Sequence, residues 1–454
     1  METKKRKIDK YFYRTFFGLL SVVAFQNLIV FSVNLADSIM IGSYNETAMS
    51  GVSLANQIQF LLQMLISGAA SGLSAIASQY WGKRETEPIK RVFAASLWAA
   101  FVMAFVLEAA VLITPRGVLS LLSNDAGIVA AGAEYIRIMA HSYLIFAASN
   151  MLIALMRSVE TVKIGFYTAL MALVINISLN YVLIFGKFGA PELGARGAAW
   201  ATLISRVVEL CAVLAYVLLM DKKIKMKVRD FFRIERAYLR DYIKAGAPLI
   251  GSGGSWGIAM TLQTAIIGRL GAVAVGANAI AAPVSQVAGV FYGASGTASG
   301  VLIGKTVGEG DVERVKKYAR KLQLLYPVIG LVCSALHLIL RGAVIGLYDV
   351  SADTRAMATV FINILAVTII GSSYEAPALT GIVSGGGDTK FVLINDLIFM
   401  WGLVLPASAL SAFVFRWPVP VTFFILKADQ ILKCFVALVK VNRFRWIRDL
   451  TVHR

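Results

Sequence analysis

The sequence predicts an all-α polytopic membrane protein, with twelve transmembrane helices in two parallel six-helix repeats around a central cavity. Three observations predict it: apolar segments of bilayer length recur along the chain, basic residues crowd alternate loops, and the sequence repeats itself at an offset of 226 residues, the separation of Gly42 and Gly268. The 454 residues are 58% hydrophobic and 15% charged, with a positive mean hydropathy. Soluble domains are about 45–50% apolar and about 25% charged, so a bilayer rather than water is the solvent implied.

A helix crosses the hydrocarbon in about 20 residues. Windows of that length fall at 15–42, 52–80, 94–114, 133–156, 165–186 and 197–219, then at 245–268, 273–304, 322–340, 356–382, 391–413 and 420–439. Polar or glycine-rich breaks separate them. The opening METKKRKIDKYFYR resembles the charged region of a signal peptide, but the apolar run behind it is too long and lacks a small-residue cleavage site. The sequence therefore predicts a retained first helix.

The net charge of +18 would suit a nucleic-acid partner if it formed one patch, and it does not. Six Lys or Arg precede the first span, four lie in GKRETEPIKR, nine between Asp221 and Lys244, five between Arg314 and Lys321, and five after the last span. The intervening loops of the first half carry few: none in SYNET, only Arg116 in the next, and Lys187 and Arg196 in the third. Basic residues accumulate on cytoplasmic loops, so both termini and the even-to-odd loops are expected in the cytoplasm of a cell-membrane protein, with anionic lipid as their partner and no nucleic acid.

Catalytic chemistry finds little support. Cys211, Cys333 and Cys434 lie inside apolar spans without metal or disulfide spacing and are expected to be small core residues. His141 and His337 are isolated in apolar segments and His453 sits at the tail, so neither a metal site nor an acid–base constellation is implied. GSGG at 251 and SGGGDT at 384 lack the strand, lysine and hydroxyl of a phosphate loop. Helix packing or helix breaking is the reading for both, and packing for Gly68 with Gly72 and Gly296 with Gly300, because small residues let membrane helices approach closely.

In the repeat, DSIMIG overlies QTAIIG and WGKRETEPIKR overlies VGEGDVERVKK. An even number of spans per repeat makes the halves parallel: an N-terminal lobe over 1–220, a basic cytoplasmic linker over 221–244, and a C-terminal lobe over 245–454 with a short basic tail. Parallel repeats suit transporters whose halves rock around one substrate site.

With NLADSIMIG in span 1, SGLSAIASQYWGKRE at the end of span 2, ALMRSVETVK after span 4, NISLNYVLIFGKFGAPELGARGAAWATLISR over spans 5 and 6, and GDTK after span 10, the chain resembles the multidrug and toxic compound extrusion (MATE) transporters over essentially its whole length. The resemblance implies secondary active efflux, by alternating access, of amphipathic and often cationic organic compounds in exchange for H+ or Na+. It implies no other cofactor, and a monomer is expected.

Asp37 is where this chemistry would concentrate. A charge in the hydrocarbon costs at least a few kcal/mol and commonly marks an ion path. Asn27, Asn34 and Asp37 fall on one helical stripe, whose repeat partner at the acidic position is the neutral Gln263. A carboxylate that only pins neighbouring helices is the alternative. The resemblance makes the aspartate the ion-coupling group, acting with Asn176, Asn180 and Thr202. Two departures bear on it: one family branch has an aspartate where this chain has Asn180, and another an acidic residue where it has Trp256. Many relatives also have a proline at the position of Val22, which the repeat retains as Pro248.

For the substrate cavity the candidates are Glu375, Gln57, Gln286, Met64 and Tyr292, with Phe60 and Phe291 beside them; core packing is the alternative for the apolar members. Asp396 of span 11 is a weaker candidate of the same kind as Glu375, while Lys427, Asp429 and Lys433 of span 12 include an i,i+4 pair and are expected to neutralise one another. Glu108 and Glu209, the latter three residues from Arg206, are assigned structural or interfacial places. Two other function classes remain: a lipid-linked oligosaccharide flippase of the same wider superfamily, for which basic cavity residues are few, and a membrane-embedded enzyme, for which the required cluster is missing from the sequence.

Overall fold

A computed structural model describes residues 2–451, with side chains from Lys10 onward; His453 lies outside the described residues. Twelve helical passes follow one another. The first half holds α1 (Glu2–Tyr44), α2 (Glu46–Gly82), α3 (Thr86–Ile113), α4 (Ala126–Ala140 and Tyr143–Ser158, bent by 52°), α5 (Lys163–Phe185) and α6 (Ala195–Ala215, extended by π turns to Met220). The second holds α7 (Arg236–Gly268), α8 (Ala272–Gly308), α9 (Val312–Gly346), α10 (Ala352–Ala376, continued in π form over Pro377–Val383), α11 (Thr389–Asp396, continued with π turns to Val414) and α12 (Val419–Leu426 and Asp429–Asn442).

Among the described residues nine of these are long and apolar enough to cross a membrane, and α4 is a tenth if its bent halves count as one. The two that fall short have visible reasons: α7 carries GSGG and a charged first turn, and α12 breaks at Lys427. Val102, Phe105 and Val106 of α3 are 60–63% exposed, a surface that hydrocarbon tolerates and water does not. Helix starts are capped where the sequence permits: the Asp125 carboxylate accepts from the backbone N–H of Gly127 and Ile128, and Asp311 from that of Arg314.

The chain packs as two compact units. The N-unit is Phe25–Ala77 with Glu85–Ile250; the C-unit takes the chain up to Ala24, Ser78–Arg84, and everything from Gly251 on. Both α1 and α7 therefore divide, after Ala24 and after Ile250, two residues beyond the repeat-related Val22 and Pro248. Neither helix is interrupted there; α1 runs unbroken through Val22.

Small residues set the close approaches. A Cβ on Gly68 would come within 2.4 Å of the Leu249 carbonyl oxygen, and one on Gly72 within 2.6 Å of Gly246 Cα, so both helices touch through backbone in the N-unit. In the C-unit Gly296 and Gly300 lie along Gly381 and Gly385 in the same way. SGGGDT is a landing site for the C-terminal tail: Gly387 adopts φ +104°, and a Cβ on Gly386 would strike the ring of the fully buried Trp446. Asp388 pairs with Lys440 at 2.7 Å and Arg448 at 3.1 Å, and the Gln79 side chain bonds the backbone of Arg448 and Leu450. Burial alone would raise the Asp449 carboxyl, but hydrogen bonds from Thr451 and Lys83 hold it below its ordinary value.

The basic linker is anchored within the N-unit. Arg91 pairs with Glu235 at 3.0 Å and, like Lys90, lies 3.8 Å from Asp230, while the Trp98 indole donates to the Phe231 carbonyl. Helix α7 starts at Arg236, so the last third of the predicted linker is already helical. The cysteines depart from expectation: Cys333 is buried, Cys434 is partly so, and Cys211 is exposed on α6, because the outward face of a membrane helix is also apolar.

Candidate functional site

Asp37 of α1 meets α5 and α6 inside the N-unit. Asn176 and Asn180 are one turn apart on α5 and both fully buried; Thr202, two turns into α6, and Asp37 are nearly so. Their side chains close a ring. The Asn180 amide donates to Asp37 Oδ1 and, at 3.1 Å, to Asn176 Oδ1; the Asn176 amide donates to Thr202 Oγ1 at 3.2 Å; the Thr202 hydroxyl donates to Asp37 Oδ2 at 3.4 Å. Both carboxylate oxygens thus have donors, which offsets part of the cost of burying a charge. One acceptor is left over: Asn180 Oδ1 is buried without a partner.

An asparagine suits two states of its neighbour. With its amide toward Asp37 it serves a carboxylate; rotated by half a turn, its spare oxygen would accept from a carboxylic acid. Asn34 stands apart from this ring. It is exposed, and its backbone oxygen accepts from Ser38 at 2.9 Å, because the stripe of seven and three residues drifts around a straight helix.

The repeat places a different set at the related positions of the C-unit. There Gln263 of α7 accepts from the Lys427 ammonium at 3.0 Å and donates to Met400 Sδ at 3.4 Å. A tethered cation thus lies beside a neutral amide where the N-unit has a carboxylate. A second C-unit cluster lies nearby in sequence: Lys433 is 2.9 Å from Asp396 and 3.4 Å from Asp429, and the Ser252 hydroxyl donates to the second oxygen of Asp396. The expected neutralisation of Asp429 and Lys433 is seen, while Asp396 and Ser252 are more involved than their sequence setting suggested. Ser252 belongs to GSGG, where small size masked a hydroxyl.

Glu375 of α10 acts electrostatically on Lys433, yet among the described residues its carboxylate has no hydrogen bond or ion pair. It lies two residues before the π segment that begins at Pro377. Of the other cavity candidates, Gln286 is exposed, and Tyr292 with Phe291 packs against Ala288, Cys333 and Ile369 in the C-unit; Gln57 is exposed and Met64 half-buried in the N-unit. His141 is not isolated: its Nδ1 is 3.5 Å from Glu108. Sequence reading also missed Arg157, whose guanidinium donates to Gln26 at 2.7 Å across 131 positions.

A duplicated bundle of bilayer-crossing helices with a buried, hydrogen-bonded carboxylate defines a polytopic membrane transporter, not an enzyme. The MatE family model matches residues 23–182 and 256–410, one stretch in each repeat, and the chain belongs to the MATE family. It is 26% identical over 410 residues to the uncharacterized transporter YisQ of Bacillus subtilis, covering 89% of this chain and 88% of that one. It is 24% identical over 405 residues to the probable multidrug resistance protein NorM of Streptococcus pneumoniae, covering 88% and 87%. In fold it resembles a MOP superfamily transporter from Pyrococcus furiosus, with a TM-score of 0.86 at 19% identity over 95% of both chains. An outward-facing multidrug resistance MATE family transporter gives 0.85 at 18% identity over 95% and 96%.

Proposed function

We propose that this transporter exports amphipathic, cationic organic compounds across the cell membrane in exchange for protons, by alternating access. The observation that carries the reading is the closed ring around Asp37, a single titratable group held by three neutral side chains. The multidrug resistance names of relatives such as the S. pneumoniae protein support the substrate class. The proton preference rests on Asn180. A Na+ site gains from several anionic oxygens, whereas one carboxylate beside an amide that can turn from donor to acceptor needs only a proton. The test is substrate movement in proteoliposomes under an imposed pH gradient or an imposed Na+ gradient. Transport is expected with the first alone, and transport driven by Na+ alone would overturn the proton assignment.

Glu375 supplies the attraction for a cation, since among the described residues its carboxylate, inside a C-unit span, has no hydrogen bond or ion pair. Glu375→Gln is expected to raise the half-saturating concentration of cationic substrates by about tenfold, the equivalent of about 1.4 kcal/mol, and to leave neutral ones nearly unchanged. Equal losses for both classes would make the residue structural.

Orientation follows from the basic loops, with both termini cytoplasmic and anionic lipid against them. Ala237→Cys, in the exposed start of α7, is expected to resist impermeant thiol reagents in intact cells, whereas Glu46→Cys, at the exposed start of α2, reacts, each measured against the parent protein. The reverse pattern would invert the topology.

A further inference from the structure

Thr202, whose hydroxyl donates to Asp37, and Arg206 are one turn apart on the same face of α6. The guanidinium lies over the Phe146 ring, 4.5 Å from its centre. Among the described residues it has no hydrogen-bond acceptor and no ion-pair partner, and its Nε is buried. The Tyr143 hydroxyl and Asn180 Oδ1 are also buried and unpartnered. The charged and titratable groups that act on it are Glu209 of α6, Tyr135 and Tyr143 of α4, and Asp37 of α1; Glu108 of α3, paired with His141, acts on Tyr143. A cation that feels the charge of two carboxylates and bonds to neither has two places to go. Glu209 is three residues along its own helix, and Asp37 lies across the ring that Thr202 completes.

We infer that Arg206 is the mobile counter-ion of the ion site, pairing with Glu209 while Asp37 carries a proton and with Asp37 once that proton has left. The inference rests on Asp37 being the coupling group. In a medium of low dielectric, a carboxylate that loses its proton to entering water is left as an uncompensated charge. A tethered guanidinium cancels that charge by a change of side-chain rotamer. Arg206 touches neither substrate nor ion; it is a positioning residue, and it links two carboxylates on different helices.

Dicyclohexylcarbodiimide, a hydrophobic reagent for protonated carboxyls, reads Asp37 and Glu209 separately when labelling of the purified full-length protein is followed by mass spectrometry across pH. Arg206→Met is expected to move the Asp37 labelling midpoint up by about one pH unit or more, because an adjacent cation favours the ionised form. Glu209→Gln is expected to move it down, and Arg206→Lys to leave it near the wild-type position. Asp37→Asn, which mimics the protonated state, is expected to lower the Glu209 midpoint, and that effect vanishes when combined with Arg206→Met. Shifts in the same direction for Arg206→Met and Glu209→Gln, or a Glu209 response that survives loss of Arg206, would overturn the inference. If Arg206→Met does not fold, the downward shift in Glu209→Gln and the retained midpoint in Arg206→Lys decide it. Gradient-driven transport persisting in Asp37→Asn would instead overturn the coupling role of Asp37, an outcome that the labelling midpoints do not share.

Discussion

Asp37→Asn is expected to abolish gradient-driven efflux while leaving the protein folded in the membrane. The substitution preserves shape and most of the ring: an asparagine oxygen still accepts from Asn180, and its amide can donate to Thr202 Oγ1, reversing the 3.4 Å contact that the hydroxyl makes with the carboxylate. What it removes is the ability to bind and release a proton. Substrate binding to the purified variant should therefore persist, with exchange lost, because nothing forces the drug-bound and proton-bound states to exclude each other. The check is flux in proteoliposomes under a pH gradient beside equilibrium binding to the same preparation. Gradient-driven flux in the variant would remove Asp37 from the coupling step.

The second large effect is on stability. Lys433, 3% exposed, stands between Asp396 and Asp429 and also acts on Glu375. Lys433→Met would leave those carboxylates without their central cation inside the bilayer. Removing one partner of a buried pair costs about 3–5 kcal/mol, so the variant is expected to lose most folded protein and to lower the thermal midpoint. Lys433→Met combined with Asp396→Asn should recover part of that loss, since it removes one of the stranded charges. A single variant as stable as the wild type would mean that these carboxylates are already neutral.

The positions most legible in the sequence were those where chemistry and surroundings conflict. Asp37 in an apolar span announces a polar pocket because hydrocarbon tolerates nothing else, whereas Asn176 and Asn180 were reached only through the family resemblance. Asn34 shows the limit of that logic: a shared stripe gives direction around a helix but not depth in a pocket, and its side chain stays outside the ring. Arg206 and Glu209 were visible as a pair three residues apart, yet local spacing could not say that the guanidinium would bond neither to Glu209 nor to Asp37. Ser252 and Gln79 carried no signal, since a serine among glycines and a glutamine at a helix end are ordinary until a distant carboxylate or a C-terminal tail is placed against them.

By itself the sequence determined the helical class, the number of passes, the duplication and the presence of a carboxylate, Asp37, inside an apolar span, because a bilayer enforces span length, internal hydrogen bonding and burial of charge on each segment separately. Only the tertiary structure decided which polar groups meet. That Asn180 rather than Asn34 reaches Asp37, that Gln263 is held by Lys427, and that α1 and α7 each divide between two compact units depend on helix rotation and long-range packing. Contacts such as the one between Asn180 and Asp37 join residues 143 positions apart, and no local periodicity encodes the rotation of one helix against another.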